Sequence, residues 1–164
     1  MIRRDSSGVT MVELSVVLVL LGIVAGITLQ GAGLLQGALG AGRAKGAADN
    51  IAEAIRYTRQ RAITDAQDYC VAFRITGGGV GQYEIYTGAR SGTTCSGTSV
   101  EGPVNLTGSA TIGSAVALRF TPVSTVDPVG PTVIVVTSTS DGASCSVNIT
   151  VTPEGGTQLP GTSC

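Results

Sequence analysis

Ser6-Ser7-Gly8-Val9-Thr10-Met11-Val12-Glu13-Leu14-Ser15-Val16-Val17-Leu18-Val19-Leu20-Leu21 sets one carboxylate, Glu13, at the head of an apolar run that carries no further charge until Arg43. A carboxylate at membrane depth costs about 2.5–3.5 kcal/mol on insertion scales, so such a residue marks a function rather than a filler position. The uncharged stretch 14–29, taken with 9–12, comes close to the ~20 residues that span a bilayer as a helix. Arg3 and Arg4 stand before it, and no Lys or Arg follows until Arg43. That asymmetry keeps the N-terminus in the cytoplasm and sends the rest of the chain across.

Two ordinary explanations account for part of this pattern. A secretory signal has an apolar core of about 7–15 residues followed by a small-residue cleavage site. Small residues do follow, in 31–42, but a glutamate at the start of the core is foreign to that design. No cysteine lies near, which removes a lipoprotein signal. A plain signal anchor remains open.

A third reading absorbs more residues. The arginine leader, Gly8, Glu13 and the helix that continues from them resemble the N-terminus of type IV pilins and type II secretion pseudopilins. On that resemblance, a prepilin peptidase cuts after Gly8, and Val9 becomes the new, methylated N-terminus. Glu13 is then the fifth mature residue, with Met11, Val12 and Leu14 at the apolar positions around it. Val9 departs from the phenylalanine or methionine usual in the family. The resemblance further implies that Glu13 of one subunit neutralises the N-terminal amine of its neighbour during assembly. Pairing two buried charges offsets much of their desolvation, whereas a lone one is strongly penalised. The alternative is a glutamate that snorkels to the interface with no partner. The implied partners are the prepilin peptidase, other pilin or pseudopilin subunits, and the inner membrane.

No proline occurs before Pro103, so nothing forces a stop in a helix expected from 10 to about 64. At about 1.5 Å per residue it would be about 80 Å long. Ile51, Ala54, Ile55, Thr58 and Ala62 recur at helical spacing, opposite Asp49, Glu53, Arg56 and Arg59. Gly22 with Gly26, Gly33 with Gly37, and Gly42 with Gly46 form small-residue pairs suited to close helix packing. The glycines of 31–46 also make a candidate soft joint that bends or unwinds during assembly.

Beyond Gln67 the period changes to that of strands. Segment 69–75 puts Val71, Phe73 and Ile75 on one face; Gly77-Gly78-Gly79 breaks it, and 82–87 returns as a hairpin. Weaker strands are expected at 100–106 and 115–120. The β-branched 132–139 is followed by an Asp141-Gly142 turn into 144–152. A helix followed by strands gives an α+β fold: a long N-terminal (trans)membrane helix packed on an antiparallel β-sheet or β-sandwich head. The expected divisions are a leader 1–8, a membrane or filament-core helix 9–30, its glycine-rich and amphipathic continuation 31–66, and a head 67–164.

The 164 residues carry a net charge of −1, with no histidine and no tryptophan. Missing histidine removes the commonest general base and metal ligand. No catalytic cluster, metal-ligand spacing or cofactor motif is present in the sequence, so no catalytic residue, metal or cofactor is assigned. Cys70, Cys95, Cys145 and Cys164 all lie beyond the apolar run and form no CxxC pair. Two disulfides in an oxidising compartment fit them best. Four cysteines allow three pairings. The expected one joins Cys70 to Cys95, closing the first hairpin and its loop, and Cys145 to Cys164, tying the C-terminus to the last strand pair.

Arg56-Tyr57-Thr58-Arg59-Gln60-Arg61-Ala62-Ile63 leading into Cys70-Val71-Ala72-Phe73, with a closing strand before Pro153-Glu154-Gly155-Gly156, resembles minor pseudopilins of the GspH/FimT kind. Some members of that kind bind DNA through a Gly-Arg-x-Arg element near the C-terminus. Here Gly155-Gly156-Thr157-Gln158 stands in that place and no Lys or Arg follows Arg119. Without them the phosphate-driven affinity is missing, which argues against a nucleic-acid partner. The function expected is a non-enzymatic structural subunit of a type IV pilus or type II secretion filament. It would be single-pass in the inner membrane, with its head in the periplasm and then on the filament. The alternative is a membrane-anchored periplasmic binding module, a DNA-uptake minor pilin among the options, that forms no filament.

Overall fold

The computed structural model describes residues 11–123, 125–140, 143–159 and 161–164, and of 26–37, 140 and 143 the backbone alone. Gly8, Val9 and the Asp141-Gly142 turn lie outside the described residues. The chain divides into two compact units, Met1–Leu35 and Gln36–Cys164. Helix α1 (Met11–Thr64) supplies all the described structure of the first unit and continues into the second. Its backbone is helical through the glycines of 31–46.

In the first unit, every large apolar side chain described from Met11 to Val24 is about half exposed or more. In the second unit the same helix becomes amphipathic. Ala44, Ala47, Ala48, Ile51, Ala54, Ile55, Thr58 and Ala62 are buried, while Asp49, Glu53 and Arg56 face outward. Thr58 fits that apolar face because its hydroxyl donates to the Ala54 carbonyl one turn back, at 2.7 Å.

The helix stops without a glycine. The Gln67 amide reaches back to the Ala62 carbonyl at 3.3 Å, and Ala66 between them holds the left-handed conformation, φ +50°. This is the six-to-one closure that ordinarily places glycine at the left-handed position.

The head contains two antiparallel sheets. The first runs in the order β5-β2-β1-β7-β8: β1 (Tyr69–Ile75), β2 (Gly81–Thr87), β5 (Thr98–Asn105), β7 (Val116–Phe120) and β8 (Val126–Asp127). The second runs β11-β10-β9-β6, with β6 (Thr111–Ile112), β9 (Thr132–Ser140), β10 (Ala143–Val151) and β11 (Thr157–Gln158). A small hairpin, β3 (Arg90–Ser91) with β4 (Thr94–Cys95), packs on β1 and β7.

The buried face of α1 and one face of each sheet share a single core. Val71, Phe73, Ile85, Leu118 and Phe120 come from the first sheet, and Ile134, Val136, Val147, Ile149 and Val151 from the second. Burying each such side chain contributes about 1.5–3 kcal/mol. In 132–139 and 144–151 buried and outward residues alternate, because each strand has one face on this core; Val71 and Phe73 of β1 face it as expected, whereas Ile75 is exposed. β1 departs from strict alternation: its first five residues are all buried. The other face, with Cys70 and Ala72 beside Ala117, forms a second small cluster against Tyr86 and Cys95.

Candidate assembly site and head surfaces

Glu13 lies in the first described turn of α1, on an exposed position among exposed valines and leucines. A carboxylate near a helix N-terminus is favoured there by roughly 0.3–1 kcal/mol through the partial positive charge of the free amides. Ser15 donates to the Val12 carbonyl at 2.8 Å, so its hydroxyl adds no unmet polarity to this surface. Among the described residues no helix is long and apolar enough to cross a membrane. The apolar run continues in sequence through Ile27 and Leu29, whose side chains lie outside the described residues.

The four cysteines form two disulfides, Cys70–Cys95 and Cys145–Cys164. The first pins the β3–β4 hairpin to β1. The second holds the C-terminal segment, where Ser146 and Ser163 exchange backbone hydrogen bonds of 2.8 and 2.9 Å. The end of the chain thus runs as an added edge along β10.

Ion pairs that sequence reading did not find tie the head together. Arg119 donates to Asp68 through Nη2 and, at 3.1 Å, through Nε, linking β7 to the segment that leaves α1. Arg74 reaches the nearly buried Glu84 across β1 and β2 at 2.8 Å. Arg90 of the small hairpin pairs with Asp127 at 3.2 Å. Arg119–Asp68 and Arg90–Asp127 join residues distant in sequence, and Arg74–Glu84 crosses the first hairpin.

Two arginines of the helix end are engaged, Arg61 within the helix and Arg56 with the second sheet. Arg61 donates to the Tyr57 hydroxyl at 3.1 Å and lies 5.3 Å over its ring. Arg56 donates to Thr157 of β11 at 3.4 Å. Tyr69, buried, donates to Asp65 at 2.6 Å, and that bond, followed by burial, holds its phenol above the ordinary range.

One concave site also went unread in the sequence. Asn50, Glu53, Ala54 and Tyr57 of α1 face Tyr83 and Ile85 of β2 and Glu101 of β5 around a cavity of about 410 Å³. The two glutamates are far apart in sequence, and only the packing of α1 on the sheet edge brings them together. Among the described residues no group of three or more His, Cys, Asp or Glu is placed to hold a metal ion.

The N-terminal segment and the head each match a known family. Residues 3–29 match the prokaryotic N-terminal methylation motif. Residues 47–156, more than half of the chain, match the type II transport protein GspH. The chain belongs to the GspH family. It is a structural subunit of the pilin-like kind, with the α+β architecture expected from its sequence: an N-terminal helix packed on an antiparallel head. No protein of curated function matches this GspH-family chain. Two crystal structures of the type IV minor pilin FimU from Pseudomonas aeruginosa are similar to it at 17% identity. Their TM-scores are 0.45 and 0.46; each match covers 71% of this chain and, respectively, 91% and 87% of the FimU chain.

Proposed function

We propose that this chain is a minor subunit of a type II transport filament or type IV pilus, and that it enters the filament through α1. In this reading 1–8 is a leader removed after Gly8 by the prepilin peptidase, and Val9 becomes the methylated N-terminus. Segment 9–30 holds the chain in the inner membrane before assembly and lies in the filament core afterwards. Residues 31–66 carry the helix onward, and the head 67–164 stands on the periplasmic side. Glu13 offsets the new amine of a neighbouring subunit. The chain performs no reaction of its own; it is the peptidase's substrate.

The observation that carries the reading is the sheath of exposed apolar side chains from Met11 to Val24 with a single carboxylate at its head. Such a surface needs an apolar surround, and lipid or neighbouring helices supply one. The two disulfides agree with a head outside the cytoplasm. The family match to a type II transport protein favours the secretion filament over the pilus.

The test is the mass of the mature protein together with a filament-incorporation assay. An N-terminus at methylated Val9 is expected. A chain that keeps Met1, or is cut beyond Leu29, defeats the reading and supports a plain anchored module. Glu13→Leu should remain membrane-inserted and be lost from sheared filaments; normal incorporation removes the pairing role.

A further inference from the structure

The cavity between the head part of α1 and the β2–β5 edge has the size of a ligand site, about 410 Å³ against the ~300–1,000 Å³ usual for such sites. Its floor is apolar, formed by Ala54 and Ile85. Tyr57 and Tyr83 supply aromatic walls, and Glu53 and Glu101 supply two carboxylates. No basic residue lines it. Among the described residues neither glutamate belongs to an ion pair, whereas Asp65, Asp68, Glu84 and Asp127 each have an arginine. Burial, then Glu101, then Glu53 push the Tyr83 phenol up.

Glu101 is brought to this face by a specific irregularity in the sheet. Tyr83 pairs with Val104 and Ile85 with Glu101, so three steps on β5 oppose two on β2. The extra residue reverses the alternation and puts Glu101 opposite Ile85, on the side that faces the helix. Gly102 makes the bulge feasible: its φ is +109°, and a Cβ there would sit 2.9 Å from the Tyr83 carbonyl oxygen and 3.0 Å from the Glu84 Cα.

We propose that this cavity receives a basic side chain, arginine or lysine, from an adjoining subunit of the filament; the source of the cation rests on the filament reading above. Two carboxylates lining one half-enclosed site favour a cation there, and a guanidinium donates to both through its forked N–H groups. The Tyr83 ring adds cation–π attraction, and the apolar floor takes the aliphatic stem.

The test uses the full chain in detergent with ¹³C-labelled tyrosine, titrated with N-acetyl-arginine amide and, as a control, N-acetyl-norleucine amide. Tyr57 and Tyr83 should shift saturably with the arginine probe while Tyr86 does not. Glu53→Gln with Glu101→Gln should weaken the apparent affinity about tenfold or more. No saturable shift at Tyr83, an equal response to norleucine, or undiminished binding in the double variant overturns the site. In cells, Glu101→Arg should be processed at Val9 like wild type and be depleted from sheared filaments; equal incorporation overturns the adjoining subunit as the source. Absence of wild type from filaments defeats the filament reading, and with it that source, while the titration judges the cavity independently.

Discussion

Removing the Cys70–Cys95 bridge with the double substitution Cys70→Ala and Cys95→Ala tests how the head is held together. The two residues are 25 apart in sequence, and closing a loop of that length in the unfolded chain is worth about 3.5 kcal/mol in the chain-entropy model. The hairpin it pins has strands of two residues each, Arg90–Ser91 and Thr94–Cys95, too few to persist without an anchor. Its loss uncovers Ala72 and Ala117, now 8% and 1% exposed, which adds to the destabilisation. The assay is denaturant or thermal unfolding of the full chain in mild detergent, followed by near-ultraviolet circular dichroism of the tyrosines. A fall of about 3.5 kcal/mol, or about 17 °C for a head of this size, is expected. A variant within about 1 kcal/mol of wild type refutes the reasoning, because it means the bridge constrains neither state. The Cys145–Cys164 loop is separate in sequence with a separation of 19, worth about 3.2 kcal/mol on the same basis. Losing both costs about 6–7 kcal/mol, comparable to a whole domain's ~5–15. Reduced head should therefore lose its near-ultraviolet signal altogether at elevated temperature.

Gly102→Ala forces a side chain into the Tyr83 carbonyl and strains a φ of +109°; a loss of about 1–3 kcal/mol is expected in the same unfolding assay, and a neutral substitution shows that the bulge is not needed. Ala66→Gly relieves the left-handed residue at the end of α1 and should raise stability by about 0.5–1 kcal/mol, with an unchanged or lower midpoint as the contrary result. Tyr69 has a folded pKa above its ordinary 10.0, through Asp65 first and burial second. Below pH 10 both states keep the proton and its contribution is complete; above it the unfolded chain ionises first, so stability falls as pH climbs toward the folded value. Tyr69→Phe should make that alkaline loss shallower in a pH series of unfolding midpoints, and an unchanged slope rules the linkage out.

Legibility followed period and locality. The strand pairs 69–75 with 82–87 and 132–139 with 144–152 could be read because each has one face on the core, so burial imprints alternation on the sequence. The helix could be read for the same reason, from Ile51, Ala54, Ile55, Thr58 and Ala62. The hairpin of β3 and β4 could not, since two-residue strands have no period to detect. The helix end near 64 could be read, but not its closure, in which alanine rather than glycine takes the left-handed position.

By itself the sequence determined the chain's kind. Glu13 heads an apolar run behind two arginines, a long helix precedes the strands, and all the cysteines lie beyond the membrane-length segment. These are one-dimensional facts, set by charge, hydropathy and period along a single element. Tertiary structure decided which cysteines meet, which arginine answers which aspartate, and that Glu53 and Glu101 share one cavity. Those outcomes depend on strand order and on a bulge that turns one residue to the other face, and neither is written in the local pattern of the chain.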